Sequence, residues 1–287
     1  MPLQSSPAHA SAPRAQHHSS NGNRLTARQR REREYYEQYS RLHAPAEIDF
    51  APILGPETRP WNPYWFTYQL VRELCTGESP VLLDMGCGPG VDCVRYARIG
   101  YDVLGIDVSP GNIAVARQLA ARHDVAERVT VQPMVCERLA FRDESFDVVT
   151  GVDILHHVEI GDAVAESLRV LRPGGTAIFK EWIEAPLFDQ VRRLAVVRRL
   201  FPTDVSLDNH ITEDERKLNA GDLAIIRGLC PDVDVHRFGI LSRMDRFWPP
   251  KESNVSWLER IDQRLMQLCP PFGRLGGAVV IVLRKPG

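Results

Sequence analysis

A glycine-rich turn preceded by a carboxylate is the clearest candidate for chemistry in the sequence. The segment Asp84-Met85-Gly86-Cys87-Gly88-Pro89-Gly90 directly follows the apolar run Val81-Leu82-Leu83. Glycines lack a Cβ atom, so they permit a tight turn and let the backbone approach a ligand closely. The spacing GxGxG, rather than GxGxxG, together with Asp84, favours a ligand with an ammonium group and disfavours a pyrophosphate. The pattern predicts a nucleotide-like ligand bound after a first strand.

A second carboxylate, Asp107, ends the run Asp102-Val103-Leu104-Gly105-Ile106. At the tip of a second strand it can accept hydrogen bonds from both hydroxyls of a ribose. The segment Asp107-Val108-Ser109-Pro110 is also typical of a helix start with proline in the first turn. The two roles are compatible.

The elements that must position these residues alternate in type along the chain. Short apolar segments that predict strands are separated by amphipathic segments that predict helices, which favours a doubly wound, mostly parallel sheet. The predicted strands are 81–83, 101–106, 129–131, 146–150, 176–179, 233–238 and 278–283. The predicted helices are 64–75, 91–99, 110–123, 162–171, 186–200, 222–229 and 255–268.

The remaining organisation is predicted from composition. Residues 1–24 are rich in Ser, Ala and Pro and indicate a disordered tail. Residues 25–79 indicate an N-terminal helical lid region, with a helix over 26–42 capped by Thr26 and a tyrosine face packed on the body. Residues 80–287 would form the ligand-binding domain, with insertions at about 185–220 and 240–275.

The bulk properties narrow the functional classes. A formal net charge of -2 gives no electrostatic reason to expect nucleic-acid binding. The longest apolar stretch, Ala278 to Leu283, is far shorter than the roughly 20 residues that span a bilayer. We find no secretory signal, and the six cysteines form no CxxC pair, so we expect a cytoplasmic protein with reduced thiols.

From Pro80 to Trp182 the chain resembles the class I S-adenosylmethionine-dependent methyltransferases. The resemblance rests on four segments in the family's order: 81–90, Gly105-Ile106-Asp107-Val108-Ser109, 141–150, and Leu171-Arg172-Pro173-Gly174-Gly175. It implies a seven-stranded sheet whose last strand, 278–283, runs antiparallel. The implied cofactor is S-adenosylmethionine, which is converted to S-adenosylhomocysteine.

The resemblance also implies roles for single residues. Asp84 and the turn 86–90 would hold the methionine end of the cofactor, Asp107 the ribose, and Val108 the adenine. Asp153, Ile154 and Leu155 would border the sulfonium. The family usually has an acidic residue on the adenine amino group, but here Val135 aligns with it. Either Glu137 takes over that contact or the backbone around Cys136 reads the adenine.

Methyl transfer needs in-line positioning and removal of a proton from the acceptor. His156 and His157 follow the fourth strand, and a histidine with a pKa near 6.5 is a suitable base. Alternatively, the pair caps or packs the start of a helix. Glu181 either binds a hydroxyl or amine of the acceptor or forms an ion pair with Arg172 or Arg192. We predict no catalytic metal, since adjacent histidines alone do not form a metal site.

Aromatic residues precede the predicted domain, where this family often places a lid. Trp61, Tyr64 and Trp65 would either cover the acceptor or simply pack a helix on the sheet. Trp182 and His210 are the other predicted pocket residues.

These observations predict a methyltransferase that acts on a small molecule, most simply at an oxygen, in secondary-metabolite or quinone-type biosynthesis. Alternatives are a methyltransferase acting on protein or RNA, a non-catalytic module that binds S-adenosylmethionine, and an NAD-dependent dehydrogenase. The oligomeric state does not follow from the sequence.

Overall fold

The computed structural model describes residues 25–42, 47–56, 59–185, 216–242 and 256–287. Several predictions lie outside these residues: the tail 1–24, the helix 186–200 with Arg192, His210, and parts of both insertions. Among the residues described, no helix is long and apolar enough to cross a membrane. Location in the cytoplasm and the absence of a nucleic-acid partner stay predictions.

One seven-stranded sheet forms the centre of the fold, in the order β3-β2-β1-β4-β5-β7-β6. β7 pairs antiparallel with both β5 and β6, and the other ladders are parallel. The predicted fold class is therefore confirmed. The strands are β1 Val81–Met85, β2 Asp102–Asp107, β3 Val129–Pro133, β4 Phe146–Val152, β5 Leu171–Trp182, β6 Val233–Phe238 and β7 Ala278–Arg284.

Helices cover both faces of the sheet, which is why the central strands are apolar throughout rather than alternating. Two buried apolar clusters lie on opposite faces, one containing Leu83 and Leu104 and the other Leu82 and Val103. The described helices are α1 Ala27–Leu42, α2 Ala51–Leu54, α3 Pro63–Leu74, α4 Val91–Arg98, α5 Pro110–Arg122, α6 Ile160–Val170, α7 Ala220–Leu229 and α8 Trp257–Leu268, with 3₁₀ turns at Leu155–His157 and Pro270–Leu275.

The strand order places a switch point at β1, which pairs with β2 on one side and β4 on the other. The loops at the carboxyl ends of these strands diverge there and leave a crevice, the usual ligand site of open α/β sheets. The glycine turn after β1, Asp107 at the end of β2 and the loop after β4 all meet at this edge.

Two details of the sequence prediction concern helix α1 and strand β5. Thr26 Oγ1 accepts from Gln29 N at 3.2 Å and Gln29 Oε1 accepts from Thr26 N at 2.9 Å, a reciprocal cap of α1. The strand predicted over 176–179 is longer, because Gly174 N donates to Lys285 O at 3.1 Å and Lys285 N donates to Gly175 O at 3.0 Å. Through these bonds to Lys285, which follows β7, the turn predicted at 173–175 becomes part of β5.

Candidate active site

A cavity of about 220 Å³ lies at the switch point. It is bordered by the glycine turn, the end of β2, the segment after β3, the loop after β4 and one face of α1. The lining residues are Gln29, Glu32, Tyr36, Tyr39, Gly86, Gly88, Pro89, Asp107, Val108, Asn112, Met134, Val135, Cys136, Glu137, Val152, Asp153, Ile154, His157 and Val158.

Two glycines of the turn border this cavity in the left-handed region, Gly86 at φ +69° and Gly88 at φ +51°. A Cβ atom on Gly86 would lie 2.6 Å from Cγ1 of Ile154. A Cβ atom on Gly88 would meet nothing within 4 Å, so it would point into open space. The turn therefore brings bare backbone to the cavity, as a closely bound ligand requires.

Asp107 is held at the cavity wall by its neighbours. Its Oδ1 accepts from Ser109 N at 2.8 Å and Asn112 Nδ2 at 3.2 Å, and its Oδ2 accepts from Gly88 N at 3.0 Å. Burial raises the pKa of Asp107, and these three hydrogen bonds act against that rise. A carboxylate oxygen has two lone pairs, so Oδ2 can accept a further hydrogen bond from a ligand hydroxyl.

Asp84 lies behind the turn rather than in the cavity wall. Its Oδ1 accepts from Thr150 Oγ1 at 3.2 Å and its Oδ2 accepts from Cys93 Sγ at 3.3 Å. Burial, followed by the charge of Asp92, raises the pKa of Asp84 to about 8. Cys87 and Gly90 also lie outside the cavity lining. A direct role for these three residues at the methionine end stays a prediction.

The segment after β3 forms an apolar wall of the cavity. Val108, Met134, Val135, Cys136 and Glu137 all line the cavity. Glu137 Oε1 accepts from Glu159 N at 3.4 Å, so part of that carboxylate is directed to α6. The wall suits a flat apolar ring, which agrees with the valine at 135.

The Glu181 side chain accepts hydrogen bonds from the loop after β4. The side chain has no exposed surface; its Oε1 accepts from Ile154 N at 2.7 Å and Leu155 N at 2.5 Å, and its Oε2 lies 2.6 Å from His156 Nδ1. The alternative of an ion pair with Arg172 is wrong, because Arg172 Nη1 lies 2.5 Å from Asp147 Oδ1. Glu181 thus shapes the loop that carries the histidines.

His157 borders the cavity, whereas His156 does not. His157 Nε2 lies 3.1 Å from the Tyr36 hydroxyl and its Nδ1 lies 3.2 Å from Glu32 Oε2. Both histidines belong to the 3₁₀ turn that precedes α6 and both are buried. The structure therefore distinguishes His157, which reaches the cavity, from His156, which does not, a difference that the sequence did not reveal.

Helix α1 is attached on both sides of the cavity. Near its start, Arg28 Nη2 donates to His156 O at 2.8 Å and Arg28 Nη1 lies 3.3 Å from Glu159 Oε1. Near its end, Glu37 Oε2 accepts from Gly111 N at 2.9 Å and from Ser109 Oγ at 3.0 Å. Glu37 thereby adds a carboxylate to the N-terminus of α5, a favourable place for negative charge.

A buried ion pair lies beside the cavity at the ends of β4 and β5. Lys180 has no exposed surface, and its Nζ lies 2.7 Å from Asp153 Oδ1 and about 4 Å above the rings of Tyr64 and Trp182. The Tyr64 hydroxyl donates to Asp153 Oδ2 at 2.8 Å. Burial lowers the pKa of Lys180, and Asp153 acts against that shift. Asp153, at φ +54°, is the member of this group that lines the cavity.

The predicted aromatic pocket is only adjacent to this cavity. Trp61, Tyr64, Trp65 and Trp182 are absent from its lining. Trp65 is buried and lies under the guanidinium of Arg59, 4.5 Å from the ring centroid. Tyr64 packs against one of the buried apolar clusters of the sheet, as the alternative interpretation of a packed α3 expects. A role of these aromatic residues toward an acceptor stays a prediction.

Sequence reasoning missed Glu32, Tyr36, Asn112 and Lys180. Asn112 had a detectable signal, since it stands in the first turn of α5 after the Ser109 cap, whose Oγ accepts from Asn112 N at 3.2 Å. Glu32 and Tyr36 contact His157, and Lys180 pairs with Asp153, across long separations in sequence. Among the described residues, no group of three or more His, Cys, Asp or Glu side chains is arranged to hold a metal ion.

Comparison with known proteins agrees with this geometry. A family model described as a methyltransferase domain matches residues 83–179. A ubiquinone biosynthesis O-methyltransferase from Sinorhizobium medicae is 43% identical over 99 residues, which are 34% of this chain and 39% of the relative. A ubiquinone/menaquinone biosynthesis C-methyltransferase from Geobacter sulfurreducens is 33% identical over 109 residues, 37% of this chain and 43% of the relative. The chain thus spans about two fifths of the length of these relatives.

Two solved structures share the fold over nearly the whole chain. Geranyl diphosphate C-methyltransferase from Streptomyces coelicolor, crystallised with S-adenosylhomocysteine, has a TM-score of 0.57 at 16% identity and covers 91% of this chain and 98% of that one. The [4+2]-cyclase SpnF has a TM-score of 0.55 at 20% identity and covers 91% and 97%. Residues 83–179 thus match the model of a methyltransferase domain, and the chain has the fold of class I methyltransferases, which confirms the resemblance found in the sequence.

Proposed function

We propose that this protein binds S-adenosylmethionine in the cavity at the switch point and transfers its methyl group to a hydroxyl of a small molecule. The observation that carries the proposal is that Asp107 and His157 line one cavity together with the bare backbone of Gly86 and Gly88. The curated relatives matched over the domain support a small-molecule acceptor, and the name of the Sinorhizobium relative supports an oxygen as the methylated atom.

The residues present fit this cofactor. In our proposal Asp107 Oδ2 accepts from the ribose, the wall formed by Val108, Val135 and Cys136 packs on the adenine, and the turn 86–90 accommodates the methionine end. When bound, S-adenosylmethionine would supply an electrophilic methyl group carried on a sulfonium. After transfer of that methyl group, the sulfur would remain as a neutral thioether. The protein then has to exclude water, hold the acceptor in line and accept its proton.

His157 is the base in this proposal, and His156 is its support. His157 borders the cavity, while His156 is bonded to Glu181 behind it and its ring centroid lies 4.1 Å from that of His157. A neutral imidazole nitrogen near the acceptor can take the hydroxyl proton as the O–C bond forms.

Calorimetry with S-adenosylhomocysteine tests the cofactor site. We expect Asp107→Ala to weaken binding at least about tenfold, which is roughly 1.4 kcal/mol. Asp102→Ala is the matched control, because Asp102 lies at the opposite end of the same strand, bonded to Arg128. Absence of binding by the wild-type protein would refute the proposal.

Incubation with labelled S-adenosylmethionine and separate pools of metabolites, proteins and RNA tests the acceptor class. Label in the metabolite pool supports the proposal. Label in protein or RNA instead would replace the small-molecule acceptor. Binding without label in any pool would indicate a non-catalytic module.

A further inference from the structure

Two carboxylate–histidine pairs lie side by side at the cavity. In the first, Glu181 of β5 contacts His156 Nδ1 at 2.6 Å. In the second, Glu32 of α1 lies 3.2 Å from His157 Nδ1. The first pair is internal to the sheet domain. The second joins that domain to the N-terminal helix and borders the cavity.

The position of Glu32 is unusual for a residue of a charged surface helix. The flanking residues Arg31, Arg33 and Glu34 are exposed, whereas Glu32 is 4% exposed. Taking a carboxylate out of water costs several kcal/mol unless a polar partner stands beside it. One such partner here is the Nδ1 atom of His157, which the sheet domain presents in the 3₁₀ turn after β4.

We propose that Glu32 is a positioning residue for His157, so that docking of α1 completes the base. The negative charge of Glu32 Oε2, 3.2 Å from Nδ1, favours a proton on that nitrogen and thereby the tautomer whose lone pair is on Nε2. The Tyr36 hydroxyl, 3.1 Å from Nε2, already stands as an O–H donor at that lone pair. The proposal rests on the proposed function and deepens it.

The proton and electron balance of the step is simple. The acceptor oxygen forms a bond to the methyl carbon, the carbon–sulfur bond breaks, and sulfur keeps the bonding electron pair. The acceptor's hydroxyl proton passes to the Tyr36 oxygen as the proton of the Tyr36 hydroxyl moves to Nε2 of His157. The resulting imidazolium then carries protons on both nitrogens, and the carboxylate of Glu32 offsets its positive charge.

Nitrogen-15 NMR of the full-length protein labelled at histidine tests the tautomer without any acceptor. We expect Nδ1 to be protonated in the wild-type His157, with its signal assigned from a His157→Gln sample. Glu32→Ala should abolish the preference for Nδ1–H. Glu34→Ala, which removes an exposed glutamate of the same helix, is the matched control and should leave the spectrum unchanged. An unchanged His157 tautomer in Glu32→Ala would overturn the proposal.

Turnover tests the role in chemistry, with the catechol protocatechuate as probe acceptor. Glu32→Gln keeps the size but loses the charge, so it should lower kcat about 100-fold. The affinity for S-adenosylhomocysteine should change less than about threefold, and Glu34→Ala should turn over like the wild type. Equal kcat values in all three proteins would overturn the proposal. A wild-type protein that methylates nothing would refute the proposed function, and the tautomer would still decide the role of Glu32.

Discussion

Gly86→Ala and Gly88→Ala form a matched pair that separates backbone packing from ligand binding. Both glycines have positive φ, and placing an alanine in that region costs about 1–2 kcal/mol. At Gly88 the new methyl group points into open space, so we expect that strain alone to lower the free energy of unfolding. At Gly86 the methyl group would also collide with Cδ1 and Cγ1 of Ile154. Overpacking of this kind costs a further 1–3 kcal/mol or so.

We therefore expect Gly86→Ala to lose about 3 kcal/mol in urea unfolding and Gly88→Ala about 1 kcal/mol. Calorimetry should rank the two variants in the opposite order. Once each affinity is corrected for the folded fraction, Gly88→Ala should lose more affinity for S-adenosylhomocysteine than Gly86→Ala. Gly88→Ala places its methyl group where the ligand should lie, and should weaken S-adenosylhomocysteine binding by about tenfold or more, roughly 1.4 kcal/mol.

A double-mutant cycle identifies the cause of the larger stability loss. In an Ile154→Ala background the colliding atoms are gone, so Gly86→Ala should cost about 1–2 kcal/mol less than it does in the wild type. The same cycle with Gly88→Ala should show additive effects. Equal stability losses for the two glycine variants, or a cycle with no coupling at Gly86, would refute the reasoning.

Two further predictions concern buried charges. The pKa of native Asp84 is raised to about 8, so between pH 4 and 8 this carboxyl binds more protons in the native protein than in the unfolded chain. The free energy of unfolding should therefore fall as pH rises through this range, by up to about 1.4 kcal/mol per pH unit. Asp84→Asn should flatten that slope in urea titrations at several pH values, and an unchanged slope would assign it to other groups. Asp153→Asn leaves the fully buried Lys180 without its counter-charge and should lower the free energy of unfolding by about 3 kcal/mol at pH 7. Lys180→Met leaves the Asp153 carboxylate, which is 28% exposed and therefore reached by water, so it should lower that free energy by less. Urea denaturation that ranks the two variants the other way would contradict this.

The central domain could be predicted from local pattern because its signals are local. The apolar runs of β1 and β2 each end in a carboxylate, and the glycine turn follows β1 directly, so order and spacing identified strands, helices and the cavity edge. The bounds of β5 could not be predicted in the same way. Its extension toward Leu171 depends on the pairing of Leu171 with Phe146 of β4 and on hydrogen bonds of Gly174 and Gly175 with Lys285, at the far end of the chain.

The limits of sequence reasoning are clearest at the histidines. Their identity and position after β4 were visible, but which of them reaches the cavity depends on contacts from Glu181 and Glu32. Neither contact has a signature at fixed spacing. Interleaved charges such as those of Arg31 to Glu34 are typical of a solvated helix face, and the burial of Glu32 among them is a tertiary effect that helical periodicity does not specify.

The loop after β4 has a consequence for the order in which the protein folds. Its shape depends on Glu181, and the register of β5 places Glu181 opposite Val279 and Lys180 opposite Val280 of β7. During synthesis β7 leaves the ribosome long after β1, β2 and β4, so these strands can associate before the partner that completes β5 exists. We therefore expect the histidine turn to reach its final shape only after the C-terminal strand has inserted, and α1, made first, to dock at His157 last.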